Sequence, residues 1–199
     1  MKIKTNYITQ ENSNHLIQYI RDFINNNEEV IIVNIGTDKM IYDVLSPLLG
    51  TILKENNCSL TVYGTIDNPI HAMNLKDRLE KIKKLHPNAK IISTDACLGA
   101  EADIGDITVR NEPIKPGKGV GKTLPSVGDI SIVGVVDESF DNDLFKTRNT
   151  RLDLIYKMAT TIADIILTAC DSSSKNILLY NRNKSDAIEL NTYKEVAVG

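Results

Sequence analysis

Apolar positions along this chain change period several times, and each change marks an element boundary. Leu16, Ile17, Ile20, Phe23 and Ile24 lie on one stripe over residues 12–26, the spacing of an amphipathic helix. The polar run NNNEE ends it. Val30 to Ile35 reads as a short strand buried on both faces, and a turn at Gly36 leads toward a second helix. The start of that helix has two readings. Ser46-Pro47 has the form of an N-cap followed by proline at the first helical position, and Asp43 has the form of a cap itself. Both put Asp43 near a helix amino terminus.

Leu60 to Thr65 is the next strand, and Asp67-Asn68-Pro69 predicts a helix that runs to about Leu85 and stops at Pro87. Lys90 to Thr94 is a third strand. The order βαβαβ, with right-handed crossovers, predicts a doubly wound parallel sheet between helical layers. IGDITVRN and GDISIVGVV follow, joined by EPIKPGKGVGKTLPSV, which holds too much Gly and Pro for a crossover helix. They predict a long-looped hairpin. Leu152, Ile155, Met158, Ala159, Ile162, Ile165 and Ile166 set a long helix over Asn149–Ala169. Beyond Asp171 a Ser cluster breaks the period. The expectation is one α/β domain over residues 1–170, three-layered and mostly parallel, with a loosely attached tail over 171–199 carrying a short strand at Ile177–Tyr180.

Composition narrows the function classes. A chain of 199 residues, 42% apolar, supports one sizeable core. Its 26 acidic against 23 basic side chains give no broad positive field, which argues against nucleic-acid binding. Cys58, Cys97 and Cys170 are odd in number and widely spaced, as in a reducing cytoplasm. The stretch MKIKTNYITQENSNHL lacks the apolar core of a signal peptide, and no run reaches the roughly 18 apolar residues of a membrane span. The expectation is a cytoplasmic protein without membrane partners.

The chemistry concentrates at one predicted edge. Asp43 and Asp95 sit just past the ends of two apolar runs. Ligands in open α/β sheets collect outside the carboxyl ends of the strands. Neighbouring strands lie about 4.8 Å apart, so two carboxylates there meet, share a proton, and supply an acid and a base for activating water against an amide. Asp43, beside a positive helix end, is the member that ionises more readily. Each aspartate also has a plain structural use, as helix cap or loop closure.

His71, in the first turn of the helix after the second strand, is a candidate proton shuttle at the same edge. Asp38 in the Gly36 turn and Asp137 after the last strand are further auxiliary candidates. Cys97, two residues past Asp95, invites a nucleophile reading with His71, although free cysteines are usually small buried hydrophobes. His15 and His86 fall on helix surfaces. PGKGVGKT approaches the phosphate-loop pattern, but Pro116 stands at its first glycine and LPSVGD follows where a helix should begin. Its Lys115, Lys118 and Lys122 are candidates for contacting a substrate or acidic partner. Asp43, Asp95, His71, Asp137 and Glu138 show no metal-ligand spacing, so neither a metal nor another cofactor is expected.

The segments IGTDKMIYDVLSPLLG, YGTIDNPIHAMNL, STDACLG, KPGKGVGKTLPSVGDISIVGVV and NTRLDLIYKMA together resemble the YyaC-type sporulation protein family, from about Val30 to Ala169. That family is similar to the germination protease that degrades small spore proteins, and more distantly to the hydrogenase maturation endopeptidases. The resemblance implies a phosphorylase/hydrolase-like fold. It also implies that Asp43 in DVLSP and Asp95 in TDAC occupy the positions of the protease's two catalytic aspartates. Asp137 stands near the place of the endopeptidases' histidine, so their nickel-reading set is not reproduced. Thr37-Asp38 replaces the asparagine after the glycine turn.

Two functions follow as expectations. One is a sporulation-associated peptidase acting on a peptide or small spore protein, in the sporulating cell or forespore. The other is a non-catalytic peptide-binding or regulatory protein on the same fold. No oligomeric state follows from the sequence.

Overall fold

A central strand paired on both sides organises the molecule. The structure, a computed structural model, describes residues 1–116, 124–139 and 150–171. In chain order the elements are β1 (Lys2–Asn6), α1 (Ser13–Asn25), β2 (Val30–Asn34), α2 (Leu45–Glu55), β3 (Thr61–Tyr63), α3 (Leu75–Leu85), β4 (Lys90–Gly99), β5 (Asp106–Arg110), β6 (Ile130–Glu138) and α4 (Leu152–Cys170). Single 3₁₀ turns occur at Ile41–Asp43 and Glu101–Asp103.

The sheet order is β1-β5-β6-β4-β2-β3. The four strands β3, β2, β4 and β6 are parallel, and β5 and β1 add antiparallel pairs at one side. Side-chain parity sorts β2 between two layers. Val30 and Ile32 pack with α1, α2 and α4, whereas Ile31 and Val33 pack with α3. The result is the expected three-layer α/β/α fold with a mostly parallel sheet. β5 and β6 form the predicted hairpin, from Ile107↔Gly134 to Arg110↔Ser131, and an Ile114↔Val127 bridge closes the base of its long connection. No helix follows at 124–129, so the phosphate-loop pattern lacks its context here. Lys118, Lys122, the residues from 172 onward and the expected Ile177–Tyr180 strand lie outside the described residues.

Several boundaries differ from the sequence reading. α2 begins at Leu45 with Val44 as its cap, so neither Ser46 nor Asp43 caps it. Pro47 is then its third residue, a position whose N–H has no helical partner to lose. α3 begins at Leu75 rather than near Asp67. The reason is Ile70, which is fully buried, bridges Ile35, and accepts the Gly36 N–H at 2.8 Å, holding the chain extended where a helix was predicted. β4 outruns its predicted end by five residues because β6 accompanies it from Asp95↔Val133 to Gly99↔Glu138. Asp95 and Asp137 are therefore inside strands rather than beyond them.

β1 escaped the sequence reading. Its Lys2 and Lys4 give it the charge that edge strands commonly carry. It is held by pairing to β5 and by the Lys4 ammonium, 2.7 Å from Asp106. His86 is not a plain surface histidine either. It follows α3, with one ring nitrogen 2.7 Å from the Tyr63 hydroxyl and the other 2.5 Å from Glu29, so it fastens the end of α3 to β3 and to the start of β2. Among the described residues no helix is long and apolar enough to cross a membrane.

α2 meets the sheet backbone to backbone. A Cβ on Gly50 would sit 2.2 Å from the Gly64 carbonyl oxygen and 2.7 Å from the Asn34 amide nitrogen. Gly50→Ala improves helix propensity by about 1 kcal/mol on its own. The clash should outweigh that gain, and urea unfolding should show a net loss of about 1–3 kcal/mol. A stabilised variant would mean that α2 is free to move off the sheet.

Candidate active site

Where β2 stops and β4 continues, the sheet has a step. The last matched pair is Asn34↔Thr94, and Asp95 is the first β4 residue past it. β2 hands over to the Gly36 turn, which returns through the 3₁₀ turn bearing Asp43 just before α2. Gly36 has φ +149°, and a Cβ there would lie 2.2 Å from the Asp43 carbonyl oxygen, so only glycine lets the turn close this tightly. The Thr37 N–H donates to that same carbonyl at 3.1 Å. Asp43 is thus fixed by backbone contacts.

A buried amide sets the height of the step. The Asn34 side chain is fully buried, donates to the Tyr63 carbonyl at 2.8 Å, and accepts the Thr94 hydroxyl at 2.8 Å. It ties the ends of β3 and β2 to the middle of β4, one residue before Asp95. In the sequence Asn34 was one polar letter in an apolar run. Nothing marked it as a link.

The Asp95 carboxyl feels the charge of Asp43. Burial raises the Asp43 carboxyl from 3.8 to about 6, partly offset by the Thr37 N–H. Burial also raises Asp95 well above the ordinary carboxylate range, the charge of Asp43 raises it further, and a hydrogen bond from the Ala96 N–H opposes both. Asp43 ionises first, and Asp95 keeps its proton to higher pH.

The other candidates are placed elsewhere. His71 precedes α3, its N–H donating to the Asn74 side chain at 2.9 Å and its ring accepting the Met73 N–H at 3.3 Å. That replaces the predicted place in a helical first turn. No contact among the described residues joins it to either aspartate. Asp38 is exposed in its turn. Asp137 accepts the Glu138 N–H at 2.8 Å and the Thr150 hydroxyl, binding the end of β6 to the approach of α4. Lys115 is exposed, with no described contact to the pair. The Cys97 thiol is pushed up, chiefly by burial, and no contact links it to His71. Cys58 and Cys170 are free thiols close enough to act on one another, the Cys170 thiol holding Cys58 down to about 7. Among the described residues no group of three or more His, Cys, Asp or Glu is arranged to hold a metal ion. The Ser46 hydroxyl in the first turn of α2 is buried with no hydrogen-bond partner among the described residues, a feature the sequence did not signal.

The family described as "Protein of unknown function (DUF1256)" matches residues 4–165. This chain belongs to that family. It is 43% identical over 136 residues to the protein described as "Uncharacterized protein YyaC" of Bacillus subtilis (strain 168). The match covers 68% of this chain and 66% of that relative, just under two thirds of the relative's length. Among solved structures it is similar to the [NiFe] hydrogenase maturation protease HycI from Thermococcus kodakarensis KOD1, at 17% identity and a TM-score of 0.45, over 74% of this chain and 98% of that one.

The raised carboxyls have a measurable cost. With Asp43 at about 6 in the fold against 3.8 as the reference, its contribution is favourable at low pH and is lost as pH rises through the folded value. Asp43→Asn removes that loss. Thermal unfolding should show the variant more stable than wild type at pH 7, by on the order of 1–3 kcal/mol, with the difference shrinking toward pH 4. Equal effects at both pH values would show that Asp43 is not strained by burial.

Proposed function

We propose that this protein is a peptidase in which Asp43 and Asp95 activate water for hydrolysis of an amide bond. The observation that carries the reading is the pair itself: two carboxyls at the step in the sheet, both raised by burial, one raised further by the other's charge. Near neutral pH such a pair holds one proton. Asp43, ionised, takes a proton from a water whose oxygen bonds to the amide carbon. Asp95, protonated, hydrogen-bonds the carbonyl oxygen and then delivers its proton to the departing nitrogen as the C–N bond breaks. The products are a carboxylic acid and an amine, and a proton shift between the two aspartates restores the starting state.

The resemblance to the germination protease assigns catalysis to the same two positions. It also supplies the setting, a sporulating cell with a peptide or small spore protein as substrate. His71, Asp38 and Asp137 have no direct part in this mechanism, since none contacts the pair. Lys115, with Lys118 and Lys122 beyond the described residues, takes a role in substrate contact only if the loop reaches the step.

Incubation of the protein with a proteome-derived peptide library, followed by mass spectrometry of new termini, tests the reading. Wild type should cut, with a rate that rises as pH passes about 6, because the base must lose its proton, and falls again when Asp95 ionises. Asp43→Asn and Asp95→Asn should each abolish cutting while unfolding cooperatively. Full activity in either variant would sink the mechanism, and folded wild type that cuts nothing would leave the crevice a binding site.

A further inference from the structure

From Asp95 to Gly99, β4 is paired on one side only. β2 follows it from Val30↔Lys90 to Asn34↔Thr94 and then turns away, whereas β6 follows it to Gly99↔Glu138. The Ile35 N–H donates to the Thr94 carbonyl at 2.9 Å, so the backbone groups of Thr94 point toward β2. By the period of two, those of Ala96 and Leu98 point the same way, into the lane that β2 has vacated. The Ala96 N–H is taken by the Asp95 carboxyl. The Ala96 carbonyl and both backbone groups of Leu98 have no backbone partner among the described residues. Residues 95–99 are half-buried rather than covered.

The sheet's two outer edges are defended, and this inner one is not. β3 offers only three residues, and β1 carries Lys2 and Lys4, two common ways of discouraging another strand. The stretch Ala96-Cys97-Leu98-Gly99 has no charge and no proline. Around the same end of the sheet, Met40 and Ile41 stand exposed on the loop after β2, and Ile66 and Met73 on the loop after β3.

We infer that the vacated lane beside Ala96–Gly99 receives an extended segment of the substrate as an added strand, which sets its amide against Asp95. The inference deepens the peptidase reading and rests on it. Strand spacing of about 4.8 Å puts a backbone in that lane within reach of a carboxyl on the neighbouring strand. Main-chain hydrogen bonds to Ala96 and Leu98 hold the segment, and the exposed apolar side chains nearby meet its alternate residues. The substrate class follows: a locally unfolded stretch with free backbone groups and apolar side chains, rather than a folded surface.

The probe is a synthetic library of fluorescein-labelled peptides of about ten residues with alternating apolar and polar positions, titrated by anisotropy against wild type and Asp43→Asn. Members should bind both proteins alike. N-methylation of alternate amides in one register should weaken binding about tenfold, and in the other register should not. Leu98→Pro, which removes an edge N–H without touching the β6 side, should weaken it similarly. If that variant does not fold, the N-methyl series still decides. Binding indifferent to the N-methyl register would overturn the inference, as would wild type that cuts peptides while binding none as strands, or self-association through this edge in place of peptide binding. Register-dependent binding without any cutting would keep the lane and overturn the peptidase reading instead.

Discussion

The site depends on one buried amide. Asn34 carries a side chain with no access to water, and desolvating an amide without partners costs several kcal/mol. It is satisfied by the Tyr63 carbonyl and the Thr94 hydroxyl, one on each neighbouring strand. These bonds fix the level at which β2 and β3 end against the continuing β4. Because β2 and β3 stop while β4 runs on, the sheet acquires a step, with Asp95 on the strand that continues and Asp43 on the turn that follows the strand that stops. The amide reinforces the backbone pairing of Ile35 with Thr94 and Ile70 just beyond it.

The step also explains the electrostatics. A carboxyl at a flush sheet edge faces water, and its charge is cheap. At a recessed level, with the Gly36 turn folded against the Asp43 carbonyl and α2 pressed backbone to backbone on the loop after β3, the two acids lose solvent on most sides. Burial is accordingly the first cause of both shifts, and for Asp95 the charge of Asp43 is the second. The fold tolerates this because the surrounding core is large. Leu45, Leu49, Ile32 and Ile92 beside it are almost completely buried, and apolar burial of that kind offsets a local polar cost.

Much of the fold was legible in periodicity, since helices that cover a sheet must show a 3.6-residue stripe and buried parallel strands must show short apolar runs. α1, β2, α4 and the β5–β6 hairpin came out close to their observed limits for that reason. The misses share another cause: long-range pairing. β4 reads as ending at Thr94 because the five residues after it look like a loop until β6 is laid alongside. Ile70 interrupts a strong helix-start signal because a partner 35 residues earlier, Ile35, claims its backbone. β1 has too little apolar content to declare itself before β5 exists. For the site, the two aspartates were found by position and type, but Asn34 and the open lane along β4 depend on which strands stop where. No local window carries that information.

β1 pairs with β5 from Lys2↔Arg110 to Asn6↔Asp106, a contact across about half the chain. The three parallel strands β2, β3 and β4 are all made by residue 99, each joined to the next through one helix. During synthesis from the amino terminus, β1 therefore emerges first and waits, while its partner is still unmade. The helix α4, which covers the α1 and α2 face, comes later still. The later-made elements β5, β6 and α4 complete the sheet on one side of β4 and roof one layer. The aspartate step takes its final form only when β6 is laid beside β4 beyond Thr94, so the site waits on a strand made about forty residues after Asp95.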